Sequence, residues 1–282
     1  GIFVKKLPLK VQVYGASHSP WVQAVLLTLH EQSIEYELRQ LAPFETFLRW
    51  GVYMPTASID GAPWERESTE IIAKLGMNPI SSEDLKAVNA AWQGVVHRSD
   101  NPFRFFAAFA RDADVSTSAW RRLVSSIYRG FVSFYMFTLL NFVKLKLKPP
   151  EPENFGDQYL VWENEFNASR SPFLDGDTPG SRDILLFGII QCHSSISVPP
   201  LTSLLNDERL NGLRTWIANM HERFKDFSHL YSGRHFEPRI PPPKPAGLIQ
   251  QGAYYFGLLT SIVAFPASLP LVFILAGRAR RK

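Results

Sequence analysis

One uncharged stretch near the C-terminal end limits what this chain can fold into more than any other feature. Residues 246–277 contain no Asp, Glu, Lys or Arg, and from Gly252 onwards the run is almost wholly apolar. A helix over residues 252–277 would extend about 39 Å at ~1.5 Å per residue, more than the ~30 Å hydrocarbon thickness of a bilayer. The sequence therefore predicts one tilted transmembrane helix over residues 248–277, with a buried hairpin as the alternative.

Both ends of this stretch fit a membrane. The aromatic residues at 254–256 stand where an interfacial belt is expected, and a basic tail at 278–282 would end the span at the lipid headgroups. Pro266 and Pro270 interrupt the helical hydrogen bonds and predict a kink. A second apolar stretch at 131–143 is too short to cross a bilayer and predicts a buried helix. Because basic residues lie on both sides of the span, its orientation stays open.

Composition excludes several classes of protein. The chain has 30 Lys and Arg against 26 Asp and Glu, and four of those basic residues lie in the tail, so the remainder is balanced. No nucleic-acid surface is indicated. The one cysteine, Cys192, excludes an intrachain disulfide, a CxxC redox pair and a zinc cluster of several thiolates, and no metal site is predicted.

After an N-terminal extension at residues 1–10, residues 11–76 predict an α+β domain, because strand and helix patterns alternate there. Asp60 and Gly61 form a two-residue hairpin signal. In chain order the predicted elements are a strand at 11–13, a helix at 20–30, a strand at 34–41, a hairpin of strands at 56–59 and 62–64, and a helix at 67–75.

Residues 77–232 predict an all-helical domain. Apolar residues recur at helical spacing behind Ser81 and Ser82, which are good N-caps, and again over residues 210–227. Residues 233–247 are rich in proline and predict an extended tether to the membrane span. Further helices are predicted near residues 117–145, 157–168 and 183–195.

Four segments together resemble the plant- and bacterial-type glutathione transferases. Residues 11–37 resemble the opening of that superfamily, where a strand ends in a Ser or Cys at the first helix, and Ser19 holds that place. Met54-Pro55 resembles the cis-proline before the third strand, Glu67-Ser68 resembles the next helix start, and residues 173–188 resemble a loop and capped helix of the second domain. The resemblance implies an α+β thioredoxin-like domain followed by an all-α C-terminal domain, here with one transmembrane helix.

The chemistry of these residues suits glutathione as a ligand or substrate. The hydroxyl of Ser19 at a helix N-terminus can donate a hydrogen bond to the thiolate, and the helix dipole adds to this stabilisation. The N–H and C=O of Met54, ahead of Pro55, can pair with the tripeptide backbone as an added strand. Glu67 and Ser68 can hold the γ-glutamyl end through a carboxylate and through helix N-terminal amides.

Structural roles are the alternative for the same residues. Ser19 and Glu67-Ser68 can cap their helices, and Pro55 can serve the fold alone. His193 beside Cys192 points to another helix face and is expected in the core.

Two departures weaken the prediction of an enzyme. Arg39 and Arg49 are the only basic residues near the expected site of the glycyl carboxylate. Gly180 stands where a Ser or Thr cap is usual before Asp183.

The sequence favours an accessory or structural subunit of a multi-subunit membrane complex, with weak or no catalysis. An active glutathione-dependent transferase or peroxidase using Ser19 is the alternative, and an organelle-shape factor like the metaxin and ganglioside-induced families is a third. The expected partners are membrane lipid and complex subunits, without nucleic acid. A mitochondrial membrane is preferred to a plastid, because a start at Gly1 fits a removed targeting peptide and basic residues flank the span.

Overall fold

The computed structural model describes residues 9–149 and 151–280. Most of the predicted N-terminal extension and the last two tail residues, Arg281 and Lys282, lie outside this part of the chain.

A four-stranded sheet with the order β2-β1-β3-β4 forms the first domain. Its strands are β1 (Val11–Tyr14), β2 (Tyr36–Arg39), β3 (Thr56–Ile59) and β4 (Glu65–Arg66). Strand β1 runs parallel to β2 and antiparallel to β3, so that Val11 pairs with Tyr36 on one side and with Ile59 on the other. A β-α-β unit followed by a hairpin is the thioredoxin-like order that the sequence predicts.

The hairpin differs from its prediction after the turn. Asp60 and Gly61 have left-handed φ values of 52° and 75° and form the turn as expected. The second strand begins at Glu65 and not at residues 62–64, because Pro63 has no N–H to donate to the ladder.

Helices surround the sheet and build the second domain. In the first domain they are α1 (Pro20–Glu31), α2 (Phe44–Trp50) and α3 (Ser68–Lys74). The second domain contains α4 (Ser82–Ala91), α5 (Pro102–Arg111), α6 (Ala119–Leu147), α7 (Leu160–Ser169), α8 (Ser181–Ser195), α9 (Pro199–Asn206), α10 (Asn211–Arg223), α11 (Leu248–Val263) and α12 (Phe265–Arg280). Short 3-10 segments lie at Gln93–Asp100, Asp157–Tyr159, Glu208–Leu210 and Ser232–Arg234.

One continuous apolar core joins the two domains through α1 and α8. Leu26 of α1, Phe187 of α8 and Trp216 of α10 are all fully buried in it. The two helices cross closely at Gly188, where a Cβ would stand 2.6 Å from the carbonyl oxygen of Pro20.

The start of α8 is stabilised although its N-cap, Gly180, has no side chain. The buried carboxylate of Asp183 accepts hydrogen bonds from the N–H groups of Gly180 (2.9 Å) and Leu174 (2.7 Å) and from the Trp216 indole (2.7 Å). Asp183 thus supplies the carboxylate half of a capping box, and the Arg182 N–H, which a Ser or Thr cap could accept from, donates to the Asp175 carboxylate instead (3.0 Å). Two carboxylates therefore compensate for the missing hydroxyl at Gly180.

The predicted transmembrane helix at 248–277 is not one helix. Helices α11 and α12, of 16 residues each, meet at Ala264 with a bend of 90°. Each is about 24 Å long, less than the ~30 Å of a bilayer core. Pro266 lies in the first turn of α12, where a missing N–H costs little, and Pro270 lies inside it. The sharp bend thus precedes both prolines.

Helix α11 packs lengthwise on α6. A Cβ at Gly130 of α6 would stand 2.3 Å from the carbonyl oxygen of Tyr254, so the two backbones touch at this glycine. Tyr254 is fully buried, and its hydroxyl lies 2.6 Å from Ser133 Oγ. The prediction that Tyr254 belongs to an interfacial belt is therefore wrong, whereas Tyr255 and Phe256 are exposed.

Helix α6 also differs from its prediction. The stretch at 131–143 is part of a helix of 29 residues, the one helix in the described ranges that is long and apolar enough to cross a membrane alone. Two bent pairs, α8 with α9 and α11 with α12, pass the same test together. On α6, exposed apolar residues such as Phe142 and Leu145 continue to the C-terminal end of the helix. The prediction of a buried helix at 131–143 is therefore only partly right.

The prediction of an extended tether over 233–247 is wrong for its first part, because Ser232–Arg234 form a 3-10 segment followed by a turn and bends. Residues 239–247 have no helix or strand and are held to the body where Ala246 N–H donates to Arg111 C=O (2.9 Å).

Candidate functional site

The loop between β1 and α1 places Ser19 at the N-terminus of α1. Its Oγ accepts a hydrogen bond from the Val22 N–H at 3.4 Å, and Pro20 occupies the first helical position. The side chain is half-buried and retains its own hydroxyl proton for donation. The structure therefore puts the residue where the sequence predicts it, in a position that serves either as a cap or as a donor to an anion.

The two residues before Ser19 face inward. Ser17 Oγ lies 2.8 Å from the Tyr231 hydroxyl. The His18 ring is buried, and its centroid lies 4.2 Å from that of Phe109 and 5.2 Å from that of Tyr231. Burial, and after it the charge of Arg98, holds the pKa of His18 well below its usual value. Of these three polar residues only Ser19 is open to a ligand.

Met54 lies directly beside this loop. The peptide bond between Met54 and Pro55 is cis, as predicted, and the Met54 sulfur accepts a hydrogen bond from the Ala16 N–H at 3.3 Å. Within the described ranges the backbone N–H and C=O of Met54 make no hydrogen bond. These are the groups that the sequence predicts for pairing with a peptide backbone.

Glu67 and Ser68 form the third part of the site. Glu67 has a left-handed backbone with φ 75°, and its carboxylate accepts from the Tyr53 hydroxyl (3.3 Å) without capping α3. Burial of Tyr53 raises its pKa to about 12, and the negative charge of Glu67 is the second cause of this rise. A non-glycine residue in this conformation is strained, and such residues cluster at functional sites. Ser68 is the first residue of α3.

Contacts link the three parts into one region. Met54 bonds to the loop before Ser19, and its neighbour Tyr53 bonds to Glu67. The predicted residues therefore surround one surface at the end of the sheet, and the structural alternative of a side-chain cap by Glu67 is not observed.

Helix α6 covers part of this surface. Val52 and Met54 pack against Val132 and Tyr135 of α6 in one apolar cluster. Two cavities in the described part of the chain, of about 320 and 460 Å³, lie elsewhere, along β2 and beside α7, and none of the five predicted residues lines them. The surface next to Ser19 can contact a ligand but forms neither of these cavities.

The remaining sequence candidates lie apart from this surface. Arg39 lines the cavity along β2, and Arg49 pairs with Glu45 (3.4 Å) on α2. His193 is buried and lies 3.0 Å from the Tyr159 hydroxyl, and Cys192 is buried beside it, so both are core residues as expected. No metal-binding group of three or more His, Cys, Asp or Glu occurs in residues 9–149 and 151–280.

Strand order and domain order together are those of a thioredoxin-like α+β domain followed by an all-helical domain. The solved structures to which the chain is similar include several glutathione transferases and a maleylacetoacetate isomerase. They include a tau-class enzyme from mango, with 14% identity, 88% of this chain and 97% of that chain covered, and a TM-score of 0.41. A human glutathione transferase variant in its apo form shares 15% identity over 94% of this chain and 99% of its own, with a TM-score of 0.42. A theta-class enzyme of the citrus canker pathogen, solved with glutathione bound, shares 15% over 82% and 99%, with a TM-score of 0.39. No family profile and no curated protein matches the chain.

Proposed function

We propose that this chain is a membrane-bound protein of glutathione-transferase-like fold whose body is an accessory subunit of a membrane complex, with weak or no catalysis. The observation that carries the proposal is the surface made by α6, α11 and α12, which exposes large apolar side chains and whose helices contain basic residues but no Asp or Glu. This surface is called the apolar–basic surface below.

The apolar side chains of this surface are solvent-exposed. Phe256 and Val263 of α11 are 63% and 83% exposed, and Phe273 of α12 is 51% exposed. The ring centroid of Phe142 in α6 lies 5.8 Å from that of Phe273, so α6 and α12 meet at this contact. Monomeric soluble proteins seldom expose so many contiguous large apolar groups, whereas a surface that inserts into lipid does.

The sequence of these helices and of the residues that follow them is rich in basic residues, which favours a contact with lipid headgroups, although Arg129 is buried and Arg121 and Lys144 pair with Glu37 and Asp100. Residues 119–148 and 248–282 together contain ten Lys and Arg and no Asp or Glu. The rest of the chain then has twenty basic against twenty-six acidic residues, a formal charge of −6. Basic residues beside an apolar helix strengthen binding to anionic lipid by about 1 kcal/mol each near the surface.

Helix geometry favours entry from one side. The rings of Phe142 and Phe273 are in contact. Basic residues follow both of them in the chain, Lys144, Lys146 and Lys148 after Phe142 and Arg278 after Phe273. The 90° bend at Ala264 makes α11 and α12 a re-entrant pair in this proposal, with the basic residues at the headgroups.

Vesicle sedimentation tests the membrane part. The full chain should pellet with vesicles containing anionic phospholipid and stay there after a carbonate wash. Replacing two exposed residues of α11 together, Leu259→Asp and Val263→Asp, should lower binding at least about tenfold, because an Asp at the centre of a helix in hydrocarbon costs about 2.5–3.5 kcal/mol. The matched control is Phe103→Asp on α5, which is 88% exposed outside this surface. A wild-type chain that remains in the supernatant contradicts the proposal.

The accessory role has its own test. Purification in mild detergent and mass measurement should recover the chain with other subunits. A lone chain, on lipid or not, would contradict the complex while leaving the membrane surface intact. The mitochondrial location, with a plastid as alternative, stays a prediction that imaging of the tagged full-length protein tests.

An active glutathione transferase is the second candidate. The half-buried hydroxyl of Ser19 and the unpaired backbone groups of Met54 favour it, whereas the packing of α6 on Met54 favours weak or no turnover. If the chain is an active glutathione transferase, Ser19→Ala should lower both its retention on immobilised glutathione and its turnover of a generic electrophile. Ser81→Ala is the matched control, because Ser81 caps α4 in the same manner (3.0 Å to the Asp84 N–H). Equal behaviour of the two variants supports the accessory role.

A further inference from the structure

A half-enclosed cavity of about 320 Å³ follows the free edge of the sheet at β2, with β1 lying between this edge and the strand that follows Met54 and Pro55. One wall is the continuous run Tyr36–Leu41, which is β2 and the two residues after it. The opposite wall is made by residues 114–117 and by Arg121 and Ser125 of α6. None of the residues predicted around Ser19 lines this cavity, so it is distinct from the surface beside Ser19.

Polar groups in this cavity lack partners. Ser125 is fully buried, and its Oγ has no hydrogen-bond partner among the described residues. The Oε1 atom of Gln40 is likewise buried and unpaired, while its Nε2 donates to the Ala113 C=O at 3.3 Å and fixes the side chain. Leaving such buried groups unpaired costs about 1–3 kcal/mol each, so both are positioned for a ligand.

The strand edge supplies backbone groups as well. The Arg39 C=O accepts from Gly15 N–H (3.1 Å) and therefore faces β1. Because a strand alternates its hydrogen-bonding direction, the N–H and C=O of Leu38 face the open edge. The cavity follows the four residues of β2, about 13 Å of extended chain, and the two residues after them. This elongated wall fits a main chain better than a compact molecule.

Two charged side chains in the cavity have partners within the protein, and a third, Arg39, has none among the described residues. Arg121 pairs with Glu37 at 3.2 Å across it, and Asp114 accepts from the Ser116 N–H at 2.7 Å. The guanidinium of Arg39, by contrast, makes no ion pair or hydrogen bond in the described part of the chain. A carboxylate would supply the missing partner, since a fork of guanidinium N–H groups matches it.

We propose that this cavity binds an extended peptide segment that adds a strand to β2 and places an acidic side chain against Arg39. The segment's backbone pairs with Leu38, and its polar groups meet Ser125 and Gln40. Strand addition of this kind gives affinity through main-chain hydrogen bonds and specificity through alternate side chains.

A random octapeptide library displayed on phage and selected against the full chain in detergent micelles tests the proposal. Selected peptides should contain Asp or Glu, and Arg39→Ala should weaken their binding about tenfold or more, as loss of a charge-assisted hydrogen bond does. Ser125→Val, which fills the cavity, should abolish binding. The matched control is Arg49→Ala on α2, which should bind normally.

Two further measurements separate strand pairing from other contacts. Methylating alternate backbone nitrogens of a selected peptide should weaken binding at one parity and not at the other, because only alternate residues face the partner strand. Ser125→Ala should leave unfolding unchanged or raise its midpoint, since it removes an unpaired hydroxyl, while binding weakens. A library without binders sensitive to Arg39→Ala or Ser125→Val, or equal tolerance of methylation at both parities, overturns the proposal.

Discussion

Gly257 of α11 lies so close to Ile127 of α6 that a Cβ at Gly257 would stand 2.1 Å from the Ile127 carbonyl oxygen. With Gly130 on the facing helix, this glycine brings two backbones together, as small residues do between helices in membranes. The predicted transmembrane segment is thus fixed to the body along α6, and the apolar–basic surface is a rigid part of the fold.

Replacing Gly257 by alanine should separate the two helices. A Cβ at 2.1 Å from backbone must displace α11, and we expect Gly257→Ala to lower the free energy of unfolding by about 1–3 kcal/mol. The control is Gly252→Ala in the same helix, where a Cβ meets nothing within 4 Å. Better helix propensity should make this control about 0.5–1 kcal/mol more stable. Thermal unfolding in micelles measures both, and equal midpoints would contradict the close crossing.

The hydrogen bond between Tyr254 and Ser133 should be detectable by the same method. Tyr254→Phe removes a buried hydroxyl that lies 2.6 Å from Ser133 Oγ, and a loss of about 1 kcal/mol is expected. The loss should be small because Ser133 Oγ retains its bond to the Gly130 C=O (3.1 Å). Tyr255→Phe, at an exposed neighbour, should leave unfolding unchanged. If both variants unfold alike, the hydroxyl contact does not exist in solution.

Local signals predicted the first domain well. Pro20 after Ser19 gave the start of α1, and Asp60-Gly61 gave the hairpin turn, because caps and turns depend on residues a few positions apart. The residues around the Ser19 surface were found for the same reason. The sequence did not predict that α6 covers part of the Ser19 surface, because contacts such as that of Val52 with Val132 join segments far apart in the chain.

The prediction of a single helix for the C-terminal segment was the main error. The length of this segment and its lack of charge fit one membrane span. Those properties do not reveal that the segment packs against another helix of the same chain. Glycines at 130 and 257 were the available signal for two helices in close contact, but a pairing between distant glycines cannot be read from either segment alone. The peptide cavity along β2 was missed because an edge strand is defined by the order of the sheet.

Asp183 should be one of the residues on which folding depends most. Its carboxylate accepts from Leu174, Gly180 and the Trp216 indole, and burial raises its pKa while these bonds lower it. We expect Asp183→Asn to cost about 3 kcal/mol or more, because an amide has one acceptor oxygen where the carboxylate has two. Asp177→Asn, at an exposed position of the same loop, is the control and should be neutral. Urea unfolding at neutral pH checks the difference.

Acid should destabilise this fold through its buried histidines. Burial, and then Arg98, lowers the pKa of His193 to about 3, burial lowers that of His221 to about 4, and burial with three arginines keeps that of His18 well below normal. The unfolded chain takes up these protons near pH 6.5 and the folded chain does not, so stability is complete above that pH and is lost as the pH falls toward 4. Each such histidine should cost about 2 kcal/mol between pH 7 and pH 5.

His18→Phe isolates one of these contributions. Phenylalanine retains the ring between Phe109 and Tyr231 and removes the titrating group, which has no hydrogen-bond partner to lose. The difference in free energy of unfolding between pH 7 and pH 5, measured with urea in micelles, should therefore be about 2 kcal/mol smaller in the variant than in the wild type. An unchanged difference would mean that His18 is protonated in the folded protein at pH 5, which its position beside Arg98, Arg129 and Arg234 opposes.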